Sequence, residues 1–323
     1  MGMNDNRKWI IGAPYELKAY NHDCREEAIR KSLECDIFLG AVFPTDILHA
    51  RMKKNQITFR HIETYFKQGK YRILSPNAAR IAYSEHFAYR NKQLYLLCAS
   101  AHVADDVGLF HAYPDKKFKW GYFPRIETDL YEKENNSNKI ELLWVGRMID
   151  WKRPLYAVKA VEILVREGVP IHLTMVGTGS MAEQIQGEIK AKGLSEYIDF
   201  LGPKSPKEVR NIMRKSDIYL FTSTREEGWG AVLNEAMGSG CAVVASAEAG
   251  ATGYLINNHV NGLVYSHNSF MEFLECVRTL CKDVVLRNSI MEKSRETIAD
   301  EWNYKIAAQR LVKVSELLMS GCK

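Results

Sequence analysis

The sequence predicts an α/β protein of two doubly wound parallel-sheet domains with a cleft between them. Three observations carry that prediction. Short apolar runs alternate with helix-patterned stretches along the chain. The runs are rich in β-branched and aromatic residues and near-continuously apolar, which suits a sheet covered on both faces. The 323 residues, 46% hydrophobic and 26% charged, suffice for two cores of ordinary size.

Taken in order, a polar leader precedes the strand candidate WIIGA, and this start has no signal-peptide layout. Four further strand candidates follow in the first half: CDIFLGAVF, QITF, LYLLCAS and FKWGYF. Helical patterns lie between them, at Arg25 to Leu33 and around Ala78 to Tyr89. The Asn-rich polar segment from Pro124 to Lys139 reads as a linker. The alternation then resumes with ELLWVG, IHLTMVG, IDFLG, IYLFTS, CAVVAS and GLVY. The last stretch, Trp302 to Met319, carries Ile306, Leu311, Val314, Leu317 and Leu318 at helical spacing. The expected organisation is an N-terminal domain over 1–125 and a C-terminal domain over 126–301. A final helix over 302–323 is expected to pack back on the first domain.

Composition narrows the function classes. No apolar run approaches the ~18 residues of a membrane-spanning helix. The seven cysteines are scattered and form no CxxC pair, which reads as reduced thiols in a cytoplasmic protein. Charge is uneven: through Arg125 there are 20 basic and 13 acidic residues, and beyond it 24 basic and 26 acidic. The excess concentrates between Arg51 and Lys92, where ten basic residues face only Glu63 and Glu85.

In parallel sheets, ligands bind where the carboxyl ends of strands lead into helices, so the C-terminal half is read strand end by strand end. The first ends in VGRMIDWKRP, where Gly146 permits a tight turn and Arg147 and Lys152 can converge on one anion such as a diphosphate. The second ends in VGTGSMAEQ, and Gly177-x-Gly179-x-x-Ala182 fits a dinucleotide fingerprint. The acidic residue that fingerprint needs is misplaced, because Asp199 opens the following strand instead of ending it. The fourth strand leads into TSTREEGWGAVLNEAM. Here Glu227 and Glu235 bracket Gly228-Trp229-Gly230, and a helix beginning near Trp229 or Gly230 would point free amides into the crevice. Two such carboxylates suit vicinal hydroxyls.

These three loops, in this order, resemble the family-4 retaining glycosyltransferases of the GT-B fold, within glycosyl transferases group 1. The resemblance is strong over about Glu141 to Leu311 and loose over the first 125 residues. It implies two Rossmann-like domains and transfer of a sugar from a nucleotide diphosphate donor, with retention, to a glycan or lipid-linked acceptor in cell-surface polysaccharide or glycolipid assembly. By that resemblance Arg147 and Lys152 would neutralise the departing diphosphate. Glu235 would accept from the donor ribose. Glu227, with the amides of Gly228, Trp229, Gly230 and Ala231, would hold the transferred sugar and nearby phosphate. Gly146, the Gly177–Gly179 turn and the loop after Gly202 would line the donor. No metal or other cofactor is expected, and UDP or GDP is the expected nucleotide.

The N-terminal half departs from the family pattern: WIIGAPYELKAY carries no glycine-rich loop, and fewer strands are visible than the fold calls for. His61, on a loop just beyond QITF, is the candidate histidine near the transferred sugar, with His102 as second choice. The basic stretch mixes its cations with Phe59, Tyr65, Phe66 and Tyr71, which suits an anionic membrane face, and the resemblance implies the inner face of the membrane. Nucleic acid is not an expected partner, since the chain is only mildly basic overall. Two other readings stay open: a non-catalytic nucleotide-sugar-binding protein with a reduced first domain, and an NAD-dependent oxidoreductase built on the GTGSMA turn.

Overall fold

The alternation of strands and helices resolves into two separate parallel sheets. The structure is a computed structural model that describes residues 25–41, 44–124, 138–266 and 268–321. The strand candidate WIIGA and most of the expected linker lie outside the described residues.

The first sheet is assembled from α1 (Arg25–Glu34), β1 (Phe38–Gly40), α2 (Thr45–Lys53), β2 (Thr58–Ile62), α3 (Pro76–Glu85), β3 (Leu94–Cys98), α4 (Val103–Gly108) and β4 (Lys117–Lys119). Its strands run in the order β1-β2-β3-β4, all parallel. Side chains alternate across it with period two. Leu94, Leu96 and Cys98 join a core with Leu48, Met52, Val103 and Val107. Phe59 and Leu97 point to the other face, with Ile57.

The second sheet follows through β5 (Ile140–Val145), α5 (Pro154–Arg166), β6 (Ile171–Val176), α6 (Ala182–Ala191), β7 (Ile198–Phe200), α7 (Pro206–Lys215), β8 (Ile218–Phe221), α8 (Ala231–Gly238), β9 (Ala242–Ser246), α9 (Thr252–Leu255), β10 (Leu263–Tyr265), α10 (Phe270–Lys282) and α11 (Val284–Asp300). All six strand candidates of this half are present. Their order, β10-β9-β8-β5-β6-β7, reverses direction at β5 and β8. The strands are apolar on both faces, and one buried cluster fills each side. Such a reversal leaves a crevice outside the carboxyl ends of the two central strands, because the following loops diverge to opposite faces.

The closing helix α12 (Tyr304–Met319) starts at an Asn303 cap whose side chain accepts from the amides of Lys305 and Ile306. Leu311, Val314 and Leu318 lie on the Ile57, Phe59 and Leu97 face of the first sheet. Leu317 faces solvent instead. The helix thus covers a sheet to which it is not adjacent in sequence.

The basic stretch divides differently from the reading by composition. Arg51 is fully buried. Its guanidinium donates to the carbonyls of Ser32, Cys35, Asp36 and Ile57, so it ties loops together and offers no surface charge. Arg60 pairs with Glu85 at 2.7 Å. Phe59 and Phe66 are core residues, so Tyr71 is the exposed aromatic of the four, joined by Leu74 and Tyr83. The exposed cations of the stretch are Lys53, Lys54, Lys67, Lys70, Arg72, Arg80 and Arg90. Cys98, Cys241 and Cys281 are buried free thiols, Cys35 and Cys276 are half-buried ones, and burial pushes Cys98 and Cys281 up to about 12.

Candidate active site

The loop after β5 and the loop after β8 meet at the reversal point. Lys152 ends a single 3-10 turn, Asp150–Lys152, and its ammonium forms an ion pair with the Glu227 carboxylate. Both side chains are mostly buried, and Ser223 Oγ donates to the same Glu227 oxygen at 3.0 Å. Backbone bonds fix the two loops to each other. The amide of Thr224 donates to the Trp151 carbonyl at 2.8 Å, and Thr222 Oγ1 donates to the Lys152 carbonyl at 2.6 Å. Trp144 Nε1 in turn donates to Thr222 Oγ1 at 2.9 Å.

A cavity of about 340 Å³ opens here, lined by Gly146, Lys152, Lys204, Pro206, Val209, Glu227, Gly230, Ala231, Val232 and Glu235. Cations, carboxylates and helix amides therefore share one space with an apolar wall. Gly230 caps α8 at φ 97°, and a side chain there would collide with Phe221 and Glu227. The first-turn amides of α8 have no intrahelical acceptor and carry the positive end of the helix dipole. Glu235, one turn into α8, is half-buried. Desolvation raises its pKa, and Arg210 opposes that only in part.

Several sequence-predicted residues sit elsewhere. Arg147 is exposed; its guanidinium lies over the Trp151 ring at 5.6 Å, with Lys152 over the same ring at 4.9 Å. Gly177 and Gly179 do not line the cavity. A Cβ on Gly177, at φ 132°, would meet the Gly146 carbonyl at 1.9 Å, and one on Gly179 would meet the Met148 carbonyl at 2.4 Å. The dinucleotide-like spacing thus has a packing cause, the close approach of the β5 and β6 loops. Gly202 accepts from the Gly177 amide at 2.9 Å, which ties the β7 end into the same corner. Asp199 projects from β7 with its side chain 59% exposed, beside His172.

The Trp229 side chain also lies away from the cavity. Its indole is 1% exposed and packs on Trp302, Tyr254 and Tyr122, donating to Asn234 at 2.8 Å. A side chain on Gly121 would strike its ring, so Trp229 is a contact between the halves and not a wall of the cavity. His61 lies inside β2, paired with Leu97, and not on a loop beyond it. Its ring stands edge-on to Tyr122 at 5.4 Å, and desolvation lowers its pKa. His102 Nε2 donates across the halves to the Glu248 carbonyl at 2.8 Å.

Residues that the sequence did not single out complete the geometry. Trp151 holds both cations, Ser223 supports Glu227, and Lys204, Pro206 and Val209 form the far wall. Glu63 crosses from the first half: its Oε2 occupies the place of a Gly228 side chain, while Oε1 accepts from Tyr122 Oη at 2.7 Å.

The family model described as "Glycosyl transferases group 1" matches residues 126–297, which contain the whole cavity. An uncharacterized glycosyltransferase of Methanocaldococcus jannaschii is 30% identical over 196 residues, 60% of this chain and 50% of its own length. The phosphatidyl-myo-inositol mannosyltransferase of Mycobacterium leprae is 30% identical over 154 residues, 47% of this chain and 40% of its own. The chain thus spans about half the length of the curated relatives it matches. Among solved structures, Anabaena HepE in complex with UDP is 18% identical with a TM-score of 0.71, covering 90% of this chain and 82% of that one. That likeness shows the fold, GT-B.

Proposed function

Because the chain belongs to the glycosyl transferases group 1 family, we propose that it transfers a sugar, with retention, from a nucleotide diphosphate donor to a glycan or lipid-linked acceptor. The observation that carries this reading is the meeting of Lys152, Glu227, Glu235 and the start of α8 around one cavity at the sheet reversal.

A diphosphate in that cavity meets the Lys152 ammonium and the amides at the head of α8, both fixed before the ligand arrives. Charge that builds on the leaving phosphate is then stabilised without reorganisation, the effect that usually contributes most to catalysis. Arg147, on the same tryptophan as Lys152, adds a second cation. Glu235 takes the ribose hydroxyls: two donors compensate a carboxylate that burial otherwise disfavours. Glu227, held in place by Ser223 and Lys152, accepts from hydroxyls of the transferred sugar. Val209 and Pro206 supply the apolar wall for a base. Lys152 and Arg147 are the cations assigned to neutralise the diphosphate, and no metal enters the proposal.

Uridine or guanosine diphosphate is the donor class, a reading supported by the UDP and UDP-glucose held by HepE. The mannosyltransferase of Mycobacterium leprae, by its name, acts on a phosphatidyl-inositol. Its likeness supports a lipid-linked acceptor at an anionic membrane face, as in assembly of a surface polysaccharide or glycolipid. The exposed cations Lys53, Lys54, Lys67 and Lys70, with exposed Tyr71 and Leu74, are the residues proposed to meet such a surface. None of the described helices is long and apolar enough to cross a membrane.

The test is nucleotide release from a panel of UDP- and GDP-sugars, with and without EDTA, by wild type and Lys152→Ala. Release that resists EDTA and is lost in the variant is expected. Release unchanged in Lys152→Ala would remove the phosphate role assigned to it.

A further inference from the structure

We propose that Arg225 is a positioning residue that couples closure of the two halves to the orientation of Glu227. The inference rests on the functional reading above for its effect on turnover, but not for the mechanical coupling itself.

Arg225 lies two residues before Glu227, on the loop after β8. Its guanidinium reaches into the first half as a fork. Nη2 donates to Asp106 Oδ1 at 2.7 Å and Nε donates to the Phe66 carbonyl at 3.3 Å. Asp106, near the start of α4, is fully buried, and its Oδ2 accepts from the amides of Tyr65 and Phe66 at 3.1 Å each. A buried carboxylate with this set of donors is held in one orientation, since any other leaves it desolvated and unpaired. The turn after β2, the start of α4 and Arg225 are therefore one rigid unit.

The same short loop is fastened on its other side to the second half. Thr224 is bonded to Trp151, and Glu227 is held by Ser223 and Lys152. Next to it, the carbonyl of Gly228 accepts from Thr64 Oγ1 at 3.4 Å, and the Ala101 amide donates to the Gly250 carbonyl at 2.9 Å. The loop that carries Glu227 is thus one bridge between the halves, and Arg225 is its charged anchor. If the halves part, the loop loses that anchor, and Glu227 loses the register that sets it against Lys152. The nucleoside end of the cavity, at Val209, Val232 and Glu235, is built from the second half alone. It should not feel the loss.

The experiment compares wild type with Arg225→Gln, Asp106→Asn and Arg225→Lys, with Arg278→Gln as control. Arg278 pairs with Glu167 within the second half, far in sequence from the bridge. Amide hydrogen exchange is read at residues 222–230 and 64–67, beside UDP and GDP titrations and nucleotide release from the sugar panel. Faster exchange confined to those two segments is expected in Arg225→Gln and Asp106→Asn, with Arg225→Lys intermediate and Arg278→Gln without effect there. Dissociation constants for UDP and GDP stay at wild-type values, while release falls by about a hundredfold, the scale of a ~1 Å misplacement. Unchanged exchange, or a rise spread over the whole chain, overturns the coupling; nucleotide affinity lost in step with turnover overturns the positioning role. A wild type that neither binds nor releases nucleotide would defeat the functional reading, and the exchange pattern would still decide the coupling.

Discussion

Cutting the Lys152–Glu227 pair from one side strands a charge in the cavity, and the geometry sets the size of the effect. The Lys152 side chain is 11% exposed and that of Glu227 14%. Breaking a buried pair from one side costs about 3–5 kcal/mol, and breaking an exposed one about 0–1 kcal/mol. Glu227 keeps the Ser223 hydroxyl when the lysine is gone, and the cavity admits water to its open side. Lys152→Met is therefore expected to cost about 2 kcal/mol, below the buried limit. Adding Glu227→Gln removes the orphaned charge, so the double variant should be less destabilised than the sum of the two single ones. The expected coupling is about 1–2 kcal/mol, within the range for residues in contact. Urea unfolding of the four proteins measures it. Single effects that add to within about 0.5 kcal/mol would refute the claim that these side chains form one energetic unit.

Glu235→Gln should raise the melting temperature at neutral pH while weakening nucleotide binding. Burial raises the Glu235 pKa above its ordinary 4.5, so the folded state carries a desolvation cost that grows as pH rises above 4.5 and levels off beyond the folded value. The gain should vanish below pH 4.5; a gain that persists there would mean that ionisation is not its cause. His61 and His102 have pKa values lowered by burial, so stability should fall as pH drops below 6.5, where the unfolded chain takes up protons first. Unfolding midpoints flat from pH 7 to 5 would contradict this. Gly177→Ala should destabilise by about 3 kcal/mol, from its left-handed backbone and the Gly146 carbonyl in the way. Gly187→Ala, exposed on α6 with nothing near its added methyl, should stabilise by about 0.5–1 kcal/mol. Replacing Lys53, Lys54, Lys67 and Lys70 by Gln should reduce sedimentation with phosphatidylserine vesicles, and unchanged sedimentation would remove the membrane face.

The second sheet was legible because each strand is a buried apolar run closed by a turn, although its central pair, β5 and β8, is distant in sequence. Its site was legible for a related reason: Lys152 and Glu227 lie on the loops that follow β5 and β8, and parallel topology brings those strand ends together. Legibility failed where partners are distant. Asp106 and Arg225 are 119 positions apart, and neither sequence neighbourhood marks the other. Charge counting misread Arg51, because a guanidinium that satisfies loop carbonyls has the same letter as one on the surface. The dinucleotide-like spacing at Gly177 and Gly179 has a steric origin that only the neighbouring loop reveals. Trp229 sits inside the most informative stretch of the chain and yet faces away from the cavity, because the αL cap at Gly230 turns the backbone between them.

The central claim is that the cavity at the ends of β5 and β8 holds a nucleoside diphosphate. Thermal unfolding in the presence of UDP, GDP, ADP and NAD in turn, beside Glu235→Ala, tests it most directly. A ligand at a hundred times its dissociation constant adds about 2.7 kcal/mol of stability. The account predicts an upward shift with UDP or GDP that disappears in the variant. A shift with NAD alone, or an equal shift in Glu235→Ala, would contradict it.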